Sequence, residues 1–262
     1  MLFVITITIF TIAFTGLYWY IGQDLSNWFL ILWAVLGLLS SLILNIVTVI
    51  LYLLGASKTD PKKKFKHFVL YNALWITCKF LNYKITIEGL ENKPNGTYVI
   101  YSNHKSMMDP IFIYLALHDR ISAVGKKSLF SLPVLNIIAK AFGALPIDRE
   151  NDREALKSMI KAINQVKDGL PMIIFPEGGI KSRETERMVD LKPGAYKLAV
   201  KSLAPILPIS LVNTSKIADS KLFQRKEVKV VIHNCIPFDE YKSLNTNEIG
   251  QKVEDIINSP LI

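Results

Sequence analysis

The first 57 residues contain one charged side chain, Asp24. No water-exposed fold tolerates a segment that long with so little charge, so this stretch constrains the chain more than any other feature. It divides into two apolar runs, residues 1–20 and 28–54, separated by Gln23, Asp24 and Asn27. As a helix, the second run would be roughly 40 Å long at 1.5 Å per residue. That exceeds a hydrocarbon core of about 30 Å, so the run can cross a bilayer with tilt. The first run is close to the minimum length. A cleaved signal peptide is the rival reading for residues 1–20, but such a peptide wants a basic start and a small-residue cleavage site. This terminus has no Lys or Arg, and Leu17 to Tyr20 is bulky. Two buried core helices fit poorly, because neither run has a polar face.

Charge returns abruptly. Lys58, Lys62, Lys63, Lys64 and Lys66 follow the second run, and the other 205 residues carry all 31 Lys and Arg against 21 Asp and Glu. The positive-inside rule places residue 58 onward in the cytoplasm. The expected organisation is a membrane anchor over 1–57, a basic amphipathic segment over 58–83 and a catalytic domain over 84–262. Residues 65–83 read equally well as a helix at the membrane interface, lysines toward anionic headgroups, or as an ordinary amphipathic helix packed on the domain. Two cysteines, Cys78 and Cys235, exclude a disulfide scaffold.

From residue 84 onward, strands alternate with helices. Strands are expected at 84–88, 97–101, 121–124, 144–147, 172–175, 206–212 and 227–233. Helices are expected at 110–118, 129–142, 150–166, 193–203 and 247–257. Several strands are apolar on both faces, the mark of an α/β domain with a largely parallel central sheet flanked by helices. Sites in such sheets lie beyond the C-terminal ends of strands, and three strand ends are chemically loaded.

The first is Ser102-Asn103-His104-Lys105-Ser106-Met107-Met108-Asp109-Pro110. Five residues of continuous helix would leave His104 and Asp109 some 140° apart, so the two meet only across a bend. Pro110 disfavours helix at Asp109 and suits a first helical position. Asp109 is then expected as an N-cap with its carboxylate turned back to His104, giving a general base of fixed tautomer; the alternative is a cap and nothing more. The second strand end is Gly143 to Arg149, where Arg149 either grips a phosphate or pairs with Asp148. The third is Phe175-Pro176-Glu177-Gly178-Gly179-Ile180-Lys181-Ser182-Arg183, a buried strand running into a glycine turn with a carboxylate and several cations. No serine sits in a nucleophile elbow and no metal-ligand cluster appears, so direct attack assisted by one base fits better than covalent or metal chemistry.

These segments together resemble the glycerolipid acyltransferases, above all the 1-acyl-glycerol-3-phosphate (lysophosphatidate) acyltransferases. The family's His-x4-Asp block is matched by His104 and Asp109, its Ile-Asp-Arg block by Ile147-Asp148-Arg149, and its Phe-Pro-Glu-Gly block by Phe175 to Gly178. Its Pro-apolar-apolar-Pro strand is matched by Pro205 to Pro208. The resemblance covers roughly residues 85–215. Where the family continues Thr-Arg-Ser, this chain has Gly179-Ile180-Lys181-Ser182-Arg183. The resemblance implies the glycerolipid acyltransferase fold and acyl transfer from acyl-CoA or acyl carrier protein to the sn-2 hydroxyl of lysophosphatidate. His104 and Asp109 would be catalytic, and Asn103, Lys126, Arg149, Glu177, Gly178, Lys181 and Arg183 would bind substrate. No cofactor beyond the acyl donor, no metal and no nucleic acid are implied; anionic membrane lipids are expected partners. Alternatives are a different lysolipid or glycerol 3-phosphate as acceptor, a lipid hydrolase, and a non-catalytic lipid-binding protein.

Overall fold

The computed structural model describes residues 9, 12–14, 16–17, 19–20 and 27–261. The chain forms two compact units, Met1–Lys58 and Thr59–Ile262. The first contains helix α1, Asn27–Ser57, 31 residues with no charged side chain. Along it, Leu32, Val35, Leu39, Ile43, Val47 and Leu51 are exposed. Leu36, Leu44 and Leu54 are exposed as well, and about half of the α1 side chains lie outside the described set. Taken over the described residues, no helix is long and apolar enough to cross a membrane, so the crossing expected at 28–54 does not stand on the structure. Most of the run at 1–20 lies outside the described residues.

The second unit is built on seven strands: β1 Tyr83–Glu88, β2 Val99–Ser102, β3 Ser122–Lys126, β4 Leu145–Ile147, β5 Met172–Ile174, β6 Ile206–Val212 and β7 Lys226–Ile232. Their order in the sheet is β1-β7-β6-β2-β5-β3-β4. Every pairing is parallel except β6 with β7. Pro208 sits inside β6 and has no N–H to donate. Its carbonyl still accepts His233 N–H at 3.0 Å just past β7, and the named ladder with β7 begins at Ile209.

Six helices accompany the sheet: α2 Lys64–Phe80, α3 Asp109–Leu117, α4 Pro133–Ala141, α5 Asp152–Lys167, α6 Lys197–Ser202 and α7 Thr246–Asn258. Period-two alternation divides the strands between two cores. Val99, Tyr101, Met172, Ile174 and Ile206 pack against Ala162 and Val166 of α5, Leu198 and Ala199 of α6, and Val253 and Ile257 of α7. Ile100, Ile173, Leu207, Ile209 and Val230 pack on the other face against Phe112 to Leu117 of α3 and Cys78 of α2. Both faces are covered, which is why these strands are apolar throughout. Asn151 caps α5 by accepting from Glu154 N–H, and Asn245 and Glu248 form a reciprocal capping box on α7.

Helix α2 packs on the domain with one face and leaves the other exposed. Its inner side joins the core through Leu70, Tyr71, Leu74 and Cys78. Lys66, expected among the headgroup-facing lysines, is buried instead. Its ammonium donates to the carbonyls of Thr59 and Ala141 at 2.9 and 2.7 Å. His67 is buried beside it, bonded to Tyr114 Oη and Pro61 O. The outer side carries Phe65, Phe68, Trp75 and Phe80, all exposed.

Candidate active site

Strand order decides what meets at the site. β5 lies directly beside β2, with Tyr101 opposite Ile174. The segments that leave these two strands, Asn103 to Asp109 and Phe175 to Gly179, therefore emerge side by side although some 70 residues separate them.

His104 Nδ1 lies 2.9 Å from Asp109 Oδ2. The same oxygen accepts the backbone N–H groups of Lys105 and Ser106 at 2.7 and 2.8 Å. Asp109 is fully buried, and an ionised carboxylate only accepts. Nδ1 must then carry the ring proton, leaving Nε2 as the basic nitrogen. Asp109 is not the expected N-cap: that position is Met108, and Asp109 is the first residue of α3. The bend through residues 103–106 folds its carboxylate backwards, so it serves the His104 loop rather than the helix end. Asp109 also lies at the positive end of the α3 dipole, which favours its charge. Phe175 stacks on the imidazole, ring centroids 4.1 Å apart and planes 16° from parallel.

Glu177 closes the back of the site. It is fully buried, with Oε1 accepting from His104 N–H at 2.7 Å and Oε2 from Lys105 Nζ at 2.8 Å. Lys105 is fully buried as well. Burial pushes the Glu177 carboxyl above its ordinary value, while the Lys105 ammonium and the His104 N–H pull it back. Both oxygens bond to the His104 loop, so Glu177 fixes that loop and is buried behind it rather than presented to a substrate. Asn103 is equally enclosed. It exchanges hydrogen bonds with both backbone groups of Leu211 on β6 and donates to Glu186 O. The substrate contact expected of Asn103 is replaced by a tie between β2 and β6. Sequence reasoning missed Lys105 as a buried group, Asp109's two backbone donors and the Phe175 stack. Lys105 and His104 find Glu177 and Phe175 some 70 residues away, so nothing local signals those partners, whereas the two donors to Asp109 lie only three and four residues back and depend on the bend.

The cations gather on the other side. Asp148 pairs with Lys127 at 2.8 Å rather than with its neighbour, which leaves Arg149 without a carboxylate partner among the described residues. The Arg149 guanidinium packs on the glycine turn: a Cβ at Gly179 would sit 2.7 Å from its Nη1. Gly178 and Gly179 have φ of +69° and +153°, a backbone that side-chain-bearing residues rarely adopt. Arg183 donates from Nε to Lys105 O at 3.1 Å, one residue from the imidazole. Lys126, at the end of β3, and Lys181 are exposed. Among the described residues no His, Cys, Asp and Glu cluster is arranged to hold a metal ion.

The arrangement is an oriented imidazole with a free nitrogen, with Arg183 bonded to the next residue's carbonyl and Arg149 packed on the adjoining glycine turn. It can take a proton from a hydroxyl while an anionic group is held nearby. Comparison with known proteins agrees. The acyltransferase family matches over residues 84–212. The chain is 30% identical over 203 residues to the chloroplastic 1-acyl-sn-glycerol-3-phosphate acyltransferase BAT2 of Brassica napus, covering 75% of this chain and 57% of that protein. It is 32% identical over 184 residues to the chloroplastic LPAT1 of Arabidopsis thaliana, covering 68% and 50%. The chain thus spans little more than half the length of these relatives. The 1-acyl-sn-glycerophosphate acyltransferase PlsC of Thermotoga maritima shares the fold, with a TM-score of 0.64 at 23% identity over 80% of this chain and 85% of that one. The order of the blocks, the geometry around His104 and these matches lead to one conclusion: the chain belongs to the acyltransferase family that includes the 1-acyl-sn-glycerol-3-phosphate acyltransferases.

Proposed function

We propose that this protein transfers a fatty acyl group from acyl-CoA or acyl carrier protein to the sn-2 hydroxyl of 1-acyl-glycerol 3-phosphate, giving phosphatidic acid. The observation that carries the reading is the Asp109–His104 pair, which directs Nδ1–H to the carboxylate and leaves Nε2 free. His104 Nε2 removes the hydroxyl proton as the oxygen attacks the thioester carbonyl. The tetrahedral adduct then collapses, the C–S bond breaks, and the imidazolium returns the proton to the departing thiolate. Base catalysis of this kind contributes about a hundredfold to ten-thousandfold. Glu177 and Lys105 are positioning residues behind the loop. Arg149, Arg183, Lys181 and Lys126 supply the charge that would hold the acceptor phosphate, with Gly178 letting the turn approach it.

The test is a labelled acyl donor offered with lysophosphatidate, glycerol 3-phosphate and neutral lysolipids. Lysophosphatidate should be preferred. The Lys181→Ala/Arg183→Ala variant should lose affinity for phosphorylated acceptors, more at low salt because exposed charge contacts are screened, and change little toward neutral ones. Equal losses on both classes would remove the phosphate role from this turn.

We further infer attachment to a membrane bearing anionic lipids, with the catalytic unit on the cytoplasmic face. Supporting this are the 27-residue apolar run at 28–54, the lysines at 58 and 62–64, and the uncovered aromatic side of α2. Burying one phenylalanine fully is worth about 1.5–3 kcal/mol, so four exposed rings are costly to leave in water.

A further inference from the structure

Between the 3-10 turn after β6 and the start of β7 lies a tight turn, Lys221-Leu222-Phe223-Gln224, closed by Gln224 N–H to Lys221 O at 3.1 Å. Its two central positions, where glycine, proline, asparagine and aspartate usually sit, carry Leu222 and Phe223, exposed at 63% and 57%. From this turn we propose a second membrane-insertion element: its tip enters the interface of an anionic bilayer beside the outer face of α2. The proposal rests on the membrane attachment inferred above.

Backbone bonding makes the case. All four carbonyls of the turn have an intramolecular donor. Lys221 O receives Gln224 N–H. Phe223 O receives the Asn82 amide at 3.2 Å. Leu222 O and Gln224 O both receive the Lys226 ammonium, at 2.8 and 2.9 Å. An exposed turn in water needs no such arrangement, since water satisfies carbonyls freely. A turn that leaves water does, because unpaired backbone groups are costly in an apolar medium. Lys226 is the clip. It is buried, has no carboxylate partner among the described residues, lies 5.0 Å over the Tyr83 ring, and also reaches Leu81 O. The turn is thereby pinned to the end of α2, where Phe80 meets Phe223 edge to face at 5.5 Å. Phe80, Leu222 and Phe223 form one apolar tip flanked by Lys79 and Lys221, with Arg225 beside them paired to Glu227 at 2.7 Å; rings at the tip and lysines at its rim are the pattern of rings toward acyl chains and cations toward phosphates. The flanking charge favours an anionic lipid surface over a second copy of a chain that is itself basic.

The experiment uses the full chain carrying Cys78→Val and Cys235→Ala. A bimane label is placed at Leu222→Cys or, as control, at Ser243→Cys, exposed next to α7 on the opposite face of the sheet. Each is reconstituted with phosphatidylethanolamine vesicles containing phosphatidylglycerol, with and without doxyl-labelled chains. Position 222 should be quenched several-fold more by doxyl lipid than position 243, and less by aqueous iodide. Phe223→Ser should reduce the doxyl quenching at 222 while far-ultraviolet dichroism stays unchanged. If the chain floats with vesicles but iodide reaches 222 as readily as 243, the insertion element is overturned while membrane attachment stands. If the chain does not float, both fall. Lipid-independent protection of 222 that grows with protein concentration would assign the tip to a second copy and overturn the proposal.

Discussion

The two halves of the active site are built on opposite principles. Around His104 most polar contacts are committed: Asp109 Oδ2 holds three donors, Glu177 holds two, and Asn103 is tied to β6, while Asp109 Oδ1 is buried without a partner among the described residues. Across from it, Arg149 has no carboxylate partner among the described residues, Arg183 touches only a carbonyl, and Lys126 and Lys181 reach into solvent. Under the proposed function, the difference follows from the work assigned to each half. A general base must present one nitrogen in one direction, which demands preorganisation. A phosphate grip needs charge that is still unpaired when the ligand arrives.

The sharpest way to break the comparison is to remove the base. His104→Ala should lower kcat about a hundredfold to ten-thousandfold without altering the fold. Asp109→Asn should lose much of the same rate by freeing the ring to turn. Near-normal turnover by purified His104→Ala protein would end the mechanism.

Next in size is the buried lock. Lys105→Met strands the Glu177 carboxylate and should destabilise the protein by about 3–5 kcal/mol, measured by chemical denaturation. Adding Glu177→Gln should recover much of that. The sign of the pH dependence follows from the raised Glu177 carboxyl. A carboxyl whose folded pKa exceeds its unfolded one binds its proton more tightly when folded. Stability is retained below the unfolded value and falls as pH rises through the folded one. The Lys105→Met penalty should therefore shrink as pH is lowered toward the ordinary carboxylate range. A penalty independent of pH would mean that lost packing, not charge, explains it.

The smallest effect sharpens the uncommitted half. Gly179→Ala puts a methyl where the Arg149 guanidinium packs and should raise the acceptor KM a few-fold, since contacting residues couple by about 0.5–3 kcal/mol. Arg149→Ala should also raise the acceptor KM, and Gly179→Ala should add little on top of it. Full additivity would show that the glycine serves only the backbone of the turn.

Much of this was legible in the sequence. The strands and helices from residue 84 onward fall where alternation and turn residues place them. The three strand-end blocks follow β2, β4 and β5, whose parallel pairing chain brings them to one edge of the sheet. Partners across strands were not legible, because they depend on sheet order rather than chain order. That β5 inserts beside β2 is what puts Lys105 against Glu177 and Phe175 against His104. Asp148 choosing Lys127 over Arg149 follows likewise from β3 pairing with β4. Lys66 shows the same limit in a helix: its position in a basic cluster suggested a solvated charge, whereas two backbone carbonyls receive it inside.

The insertion of β5 beside β2 also sets a clock on synthesis. At about 5–20 residues per second, roughly 4–14 seconds separate the emergence of β2 from that of β5, and Leu211, which receives Asn103, comes later still. Throughout that interval the His104 loop has been made but has neither its stacking ring nor its buried carboxylate. Parallel pairings this distant in sequence also form slowly. The full set of contacts around His104 can therefore form only after about four-fifths of the chain has been made.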